Sequence, residues 1–204
     1  MPTIQEECAK RNIDRLFHFT PVDHLDRILH RGLLVPSACK AQNVGMKPND
    51  TERHDLQDAI CLSVEWPNWQ LYWRFHLLKE DRPWAVLQLN HRVLWDKRVC
   101  FNTTNAADNS VRFQSFASRS TVSKFQEMFD DWGAKKRADL NLPDHYTTNH
   151  QAEVLCLDSI EPAYFTTIHL DNYEVSKMYK AAYPHANVRY DGTYFKYRSD
   201  WRHW

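Results

Sequence analysis

Four glycines in 204 residues are the strongest constraint this sequence places on its fold. Average usage, about 7%, would supply roughly fourteen. Glycine gives the backbone its left-handed and close-approach conformations, and nucleotide-binding loops depend on them. Neither a GxGxxG nor a GxxxxGK[ST] pattern occurs, so glycine-rich phosphate loops are excluded. The architecture must therefore come from elements joined by longer polar loops.

Those elements can be read along the chain. The short apolar run Leu16 to Thr20 ends in Thr20-Pro21-Val22-Asp23. This is a helix-start pattern in which Thr20 caps, Pro21 opens the helix and Asp23 takes the place of a capping-box acid. Val22, Leu25, Ile28 and Leu29 share one helical face, and Gly32 is placed to end it. Lys40 to Asp58 reads as a long loop, Ala59 to Val64 as a buried strand, Trp69 to Leu78 as an aromatic helix and Trp84 to Asn90 as a strand. Val122 to Trp132 reads as a helix with Phe125, Met128, Phe129 and Trp132 on one face. Ala134 to Gln151 is a second long loop. Strands over Glu153 to Leu157 and Tyr164 to Leu170 follow, then a helix over Asn172 to Ala182. Strands and helices do not alternate regularly, which predicts an α+β domain spanning residues 1–204.

Lys plus Arg and Asp plus Glu number 26 each, so the net charge is zero. That excludes a globally basic coat for nucleic acid but not a local patch. No apolar run approaches the roughly 20 residues of a membrane span. The N-terminal stretch Met1 to Arg15 has no hydrophobic signal segment. The five cysteines (Cys8, Cys39, Cys61, Cys100, Cys156) are odd in number and widely spaced. They read as free thiols of a cytoplasmic protein. Eleven histidines invite a metal reading. There is no HExxH, however, and neither His24/His30 nor His145/His150 has convincing ligand spacing, so no metal is expected. No GxSxG elbow supports a serine nucleophile.

Four constellations could carry chemistry. His18 and Thr20 alternate with Phe19 at a strand-to-helix junction and could face a ribose or an amide. The bland alternative is a core histidine beside a cap. Glu153 opens an apolar strand after a long polar loop, where a partly buried carboxylate can act as a base or stabilise positive charge. The alternative is a strand-end salt bridge. Arg53-His54-Asp55 places a guanidinium fork, a natural clamp for a pyrophosphate, in the first long loop. The alternative is a solvated charge cluster. From Arg189 onward four Lys/Arg and two Asp are interleaved with Tyr190, Tyr194, Phe195, Tyr197, Trp201 and Trp204. Such a mixture suits single-stranded nucleic acid, and equally a C-terminal segment packed by its aromatics.

In order along the chain, these pieces resemble a known family. Leu16-Phe17-His18-Phe19-Thr20-Pro21-Val22-Asp23-His24-Leu25, with Gly32-Leu33-Leu34, is similar to the opening of ADP-ribosyltransferases. Arg53-His54-Asp55, Val99-Cys100-Phe101-Asn102-Thr103-Thr104-Asn105-Ala106-Ala107 and Gln151-Ala152-Glu153-Val154-Leu155 resemble segments of the DarT family of DNA ADP-ribosyltransferase toxins. The resemblance implies an ADP-ribosyltransferase-like fold with a central split, mixed sheet and flanking helices. It also implies NAD as co-substrate and transfer of ADP-ribose to a base of single-stranded DNA, thymine favoured and guanine the alternative. Glu153 and Arg53 would be catalytic, and His18, Thr20, His24 and Arg53 would bind NAD. The loop residues His145, Tyr146, Thr147, Thr148, Asn149 and His150 would meet the acceptor base. A macrodomain antitoxin would be the partner. Two rival functions remain open at this point: NAD-dependent modification of RNA or protein, and a non-catalytic nucleic-acid binding module.

Overall fold

The computed structural model describes residues 2–43, 58–78 and 82–204, with backbone alone for 76–78. Most of the loop expected between Lys40 and Asp58 lies outside the described residues, and Arg53 lies there with it. The strands are β1 (Arg15–Pro21), β2 (Ile60–Val64), β3 (Trp84–Asn90), β4 (Val99–Asn102), β5 (Glu153–Cys156), β6 (Phe165–Leu170) and β7 (Val188–Tyr190). They form one sheet in the order β4-β5-β2-β1-β3-β6-β7. Neighbours are antiparallel except β6 and β7, which run parallel, so the sheet is mixed as expected.

Alternation along β1 explains why it lies at the centre. Leu16 packs into an aliphatic core with Val64, Leu87, Leu89, Val154 and Ile168. Phe17 faces the other way, into an aromatic cluster with Tyr72, Phe75, Trp84, Val86 and Phe195. The Trp69–Leu78 helix supplies Tyr72 and Phe75 to that cluster. Both faces of the strand are therefore covered, and each buried large side chain contributes about 1.5–3 kcal/mol of hydrophobic stabilisation.

The pairing of β1 is lopsided. With β3 it runs from Arg15–Asn90 to Pro21–Trp84 without interruption. With β2 it holds only at Leu16–Val64 and Phe17–Ser63. Past Phe17 the two strands part, and Ile60, Cys61 and Leu62 of β2 are paired to β5. The sheet is thus split beside His18.

Two local expectations are corrected. Thr20 is no helix cap: pairing with β3 extends the strand through Pro21, and the following 3₁₀ turn, Val22–His24, has no side-chain cap. The helix begins at Leu25 and ends at Arg31, with Gly32 next. The helix expected over Val122 to Trp132 is shorter than its apolar pattern. It runs Val122–Glu127 under a Thr121 cap, and Trp132 turns out to bridge to Lys135 with 38% of its surface exposed. The polar N-terminus contains a helix, Ile4–Arg11, with a Thr3/Glu6 capping box.

Gly32 is a position where glycine is required. Its φ is +82°, and a Cβ there would lie 2.1 Å from the Ile160 carbonyl oxygen. The close approach lets Leu33 and Ile160 exchange backbone hydrogen bonds of 2.9 and 2.8 Å. Gly32→Ala should cost about 2 kcal/mol or more through strain and clash. Thermal unfolding should show a fall of roughly 4–8 °C. An unchanged melting temperature would contradict this reading.

Candidate active site

The split is bridged by a histidine. His18 Nδ1 lies 2.9 Å from the Cys61 carbonyl oxygen on β2. A carbonyl only accepts, so Nδ1 carries the proton and Nε2 is left as an acceptor. Burial lowers the His18 pKa below its ordinary value, against the opposing effect of the Cys61 bond, and His24 lowers it further. The ring is neutral at pH 7, with a lone pair available to a hydroxyl donor. Thr20 is buried at the end of β1, and its hydroxyl lies 3.3 Å from His24 Nδ1. His24 is likewise held below its usual pKa, by burial first and then by Arg27 and Arg82. His18, Thr20 and His24 therefore form one cluster. Arg27 and Arg82 are cations close to it that no sequence motif marks.

Glu153 stands two strands away, on the far side of β2. Cys61, the residue that holds His18, pairs with Leu155 on β5, two positions from Glu153. The Glu153 side chain is 3% exposed. Its Oε1 accepts a hydrogen bond from Asn105 Nδ2 at 3.1 Å, and its Oε2 accepts one from the Ala106 backbone N–H at 2.9 Å. Its carbonyl accepts from Asn102 Nδ2 at 3.1 Å, and Asn102 Oδ1 in turn accepts from the buried Arg119 guanidinium. Both carboxylate oxygens thus have N–H donors in a nearly dry setting, which fixes the group in one orientation. The Asn105-Ala106 segment was visible in the sequence. The main-chain donor was not, because a backbone N–H leaves no trace in residue type.

The loop before β5 is built differently from its polar sequence. His145 and Tyr146 are half-buried, whereas Thr147, Thr148, Asn149 and His150 are buried. Two arginines hold the loop. Arg198 donates to the carbonyls of Thr147 (2.8 Å) and Thr148 (3.0 Å) while making two bonds to Asp200. Arg137 donates to the Tyr146 carbonyl at 2.6 Å and to the Thr148 hydroxyl at 3.2 Å. Burial would raise the Asp200 pKa, but its bonds to Arg198 outweigh that and leave it below the usual carboxylate range. His150 stacks on Trp69 at 4.7 Å and donates from Nε2 to Gln70 Oε1 at 2.8 Å. Arg53 lies outside the described residues, so its position relative to this site is not described. Among the described residues no group of three or more His, Cys, Asp or Glu side chains could hold a metal ion.

A family model for "ssDNA thymidine ADP-ribosyltransferase, DarT" matches residues 17–201. Among solved structures, Thermosipho africanus DarTG in complex with ADP-ribose aligns with a TM-score of 0.63 at 16% identity, covering 89% of this chain and 50% of that one. The chain therefore spans half of the Thermosipho protein. Thermus sp. 2.9 DarT in complex with NAD+ aligns with a TM-score of 0.57 at 14% identity, covering 89% of this chain and 97% of that one. The same Thermus protein in complex with ADP-ribosylated ssDNA gives 0.58 at 14% identity, with 89% and 96% covered. These likenesses show that the fold is shared. Comparison with curated proteins returned no match.

The state of His150 yields a pH prediction. Burial first, and then the charge of Arg198, lowers its pKa from 6.5 to about 3. Nδ1 is buried with no hydrogen-bond partner, so a second proton would have nothing to bond. The folded ring resists a proton that the unfolded chain takes up below about pH 6.5. The stability at stake is therefore complete above that pH and declines as pH falls toward about 3, by about 1.4 kcal/mol per pH unit. Denaturant unfolding at pH 7 and pH 5 should show the wild type losing roughly 2 kcal/mol more than His150→Phe, which keeps a ring on Trp69. Identical losses would contradict the assignment.

Proposed function

Because the chain belongs to the DarT family of ssDNA thymidine ADP-ribosyltransferases, we propose that Glu153 drives transfer of ADP-ribose from NAD to a thymidine of single-stranded DNA. The observation that carries this is the Glu153 carboxylate, fixed by Asn105 and Ala106 two strands over from the neutral His18, with β2 between them. Cleavage of the nicotinamide–ribose bond passes through an oxocarbenium-like transition state, as glycoside hydrolysis does. Nicotinamide leaves with the bonding pair, and the ring nitrogen of thymine forms the new bond to the anomeric carbon. The proton on that nitrogen goes to Glu153, whose charge also stabilises the cation. Because its orientation is set before substrate arrives, little reorganisation is needed during the reaction.

His18, Thr20 and His24 orient the nicotinamide end of NAD, with His18 Nε2 accepting from a ribose hydroxyl. Arg53 takes the diphosphate, and Arg27 and Arg82 add positive charge beside His24. His145 and Tyr146 are the loop groups with surface to offer the acceptor base. Thr147, Thr148, Asn149 and His150 act through the shape they give the loop. A base inside a duplex is stacked and out of reach, which favours a single strand. Residues 1–204 act as one transferase unit in the cytoplasm, and a macrodomain antitoxin that removes the mark is the matching partner. Among the described residues no helix is long and apolar enough to cross a membrane.

The test is mass spectrometry of a mixed-sequence single-stranded oligonucleotide after incubation with protein and NAD. One ADP-ribosyl mass on thymidine is expected, and Glu153→Ala should abolish it. Asn105→Ala removes one hydrogen bond to a charged group and should slow transfer roughly 10- to 100-fold. NAD consumed with no gain of mass on DNA would overturn the proposal in favour of an RNA or protein acceptor.

A further inference from the structure

The C-terminal segment is only partly used by the fold. Phe195 is buried against Tyr72, and Arg198 and Asp200 form the buried pair that anchors the acceptor loop. Between and beyond these anchors the rings point outward. Tyr197 is 45% exposed and Trp201 43% exposed. They stack on each other at 5.2 Å with 26° between the planes, and Tyr197 stacks in the same way on Trp73 of the Trp69–Leu78 helix at 5.4 Å and 26°. The three rings make a column whose Tyr197 and Trp201 members are both exposed to solvent. The Arg202 guanidinium lies over the Trp201 ring, 5.4 Å from its centroid, and Lys196 is exposed on the same segment. The nearby acid, Asp200, is spent on Arg198 and the Trp204 indole N–H. The charge presented to solvent along this segment is therefore positive.

The column is connected to the site. Tyr197 meets Trp69 edge-on at 5.1 Å, and Trp69 stacks on His150, three residues before Glu153. Its backbone is also set in advance, because the Trp201 N–H donates to the Arg198 carbonyl at 3.0 Å. A rigid flat ring flanked by cations binds a base without ordering itself first. A folded protein partner would instead be expected to cover a broader, less charged patch.

We propose that the Trp73–Tyr197–Trp201 column is a stacking platform for a base of the single-stranded DNA that flanks the modified thymidine, with Arg202 and Lys196 holding the adjoining phosphates. This rests on the reading of single-stranded DNA as the acceptor, and it assigns a task to residues outside the transfer machinery.

The probe is a labelled twelve-residue deoxyadenosine oligonucleotide, titrated without NAD and followed by fluorescence anisotropy. It contains no thymidine, so its binding is independent of transfer. Trp201→Ala should weaken binding roughly tenfold, and Trp201→Phe should restore most of it. Arg202→Ala should reduce the salt dependence of binding by about one phosphate contact. Melting curves of each variant separate loss of the platform from loss of the fold. Unchanged affinity in folded Trp201→Ala and Tyr197→Ala would overturn the proposal. So would unchanged DNA affinity together with lost binding to a macrodomain partner, which would make the column a protein interface. Ring-dependent binding in a protein that modifies no DNA would support the platform while the transferase reading fell, so the two failures are distinguishable.

Discussion

The structure depends on a pairing that stops early. β1 is hydrogen-bonded to β3 along its whole length but to β2 at only two positions. A central strand with a free edge exposes backbone donors and acceptors that need partners. Here the first open position is occupied by His18, whose ring donates to the Cys61 carbonyl across the gap. The split is thereby bridged by a side chain that the proposed function assigns to NAD binding. The clustering of Thr20 and His24 beside it, and the approach of β5 from the other side, follow from the register on either flank.

The second constraint is electrostatic. A carboxylate taken out of water carries a penalty of several kcal/mol unless it is hydrogen-bonded. Glu153 avoids it with a main-chain N–H and an amide, and Asn102 and Arg119 keep the neighbouring strand end in place. The loop before β5 follows the same logic with the signs reversed. Arg198 is buried, and it is stabilised by Asp200 and by two loop carbonyls. Removing one partner of such a pair typically costs about 3–5 kcal/mol, so the loop and the C-terminal segment stand or fall together. This joins the end of the chain to the residues immediately before Glu153.

Legibility in the sequence followed locality. The strands around Leu16, Cys61, Val86 and Val154 announce themselves as short apolar runs between polar punctuation, and the acid opening β5 stands out against them. The resemblance set the matching segments in order along the chain and named the fold class that the sheet displays. What could not be read depends on distant partners. Thr20 has the composition of a cap, yet pairing with β3 draws it into a strand. Thr147 to His150 look like an exposed polar loop, yet a guanidinium some fifty positions later buries them. Trp132 fits a helical stripe, but the helix ends at Glu127. The helix at the N-terminus is a different case, since its capping box at Thr3 and Glu6 is plain in the sequence and its weak apolar face conceals it.

The central claim is a division of labour across the split: β1 holds NAD and β5 performs the transfer. Calorimetric titration of NAD into His18→Ala and Glu153→Ala tests it most directly. The account predicts that His18→Ala binds NAD at least tenfold more weakly, whereas Glu153→Ala retains near wild-type affinity despite its missing carboxylate. A His18→Ala protein that binds NAD as tightly as the wild type would contradict it.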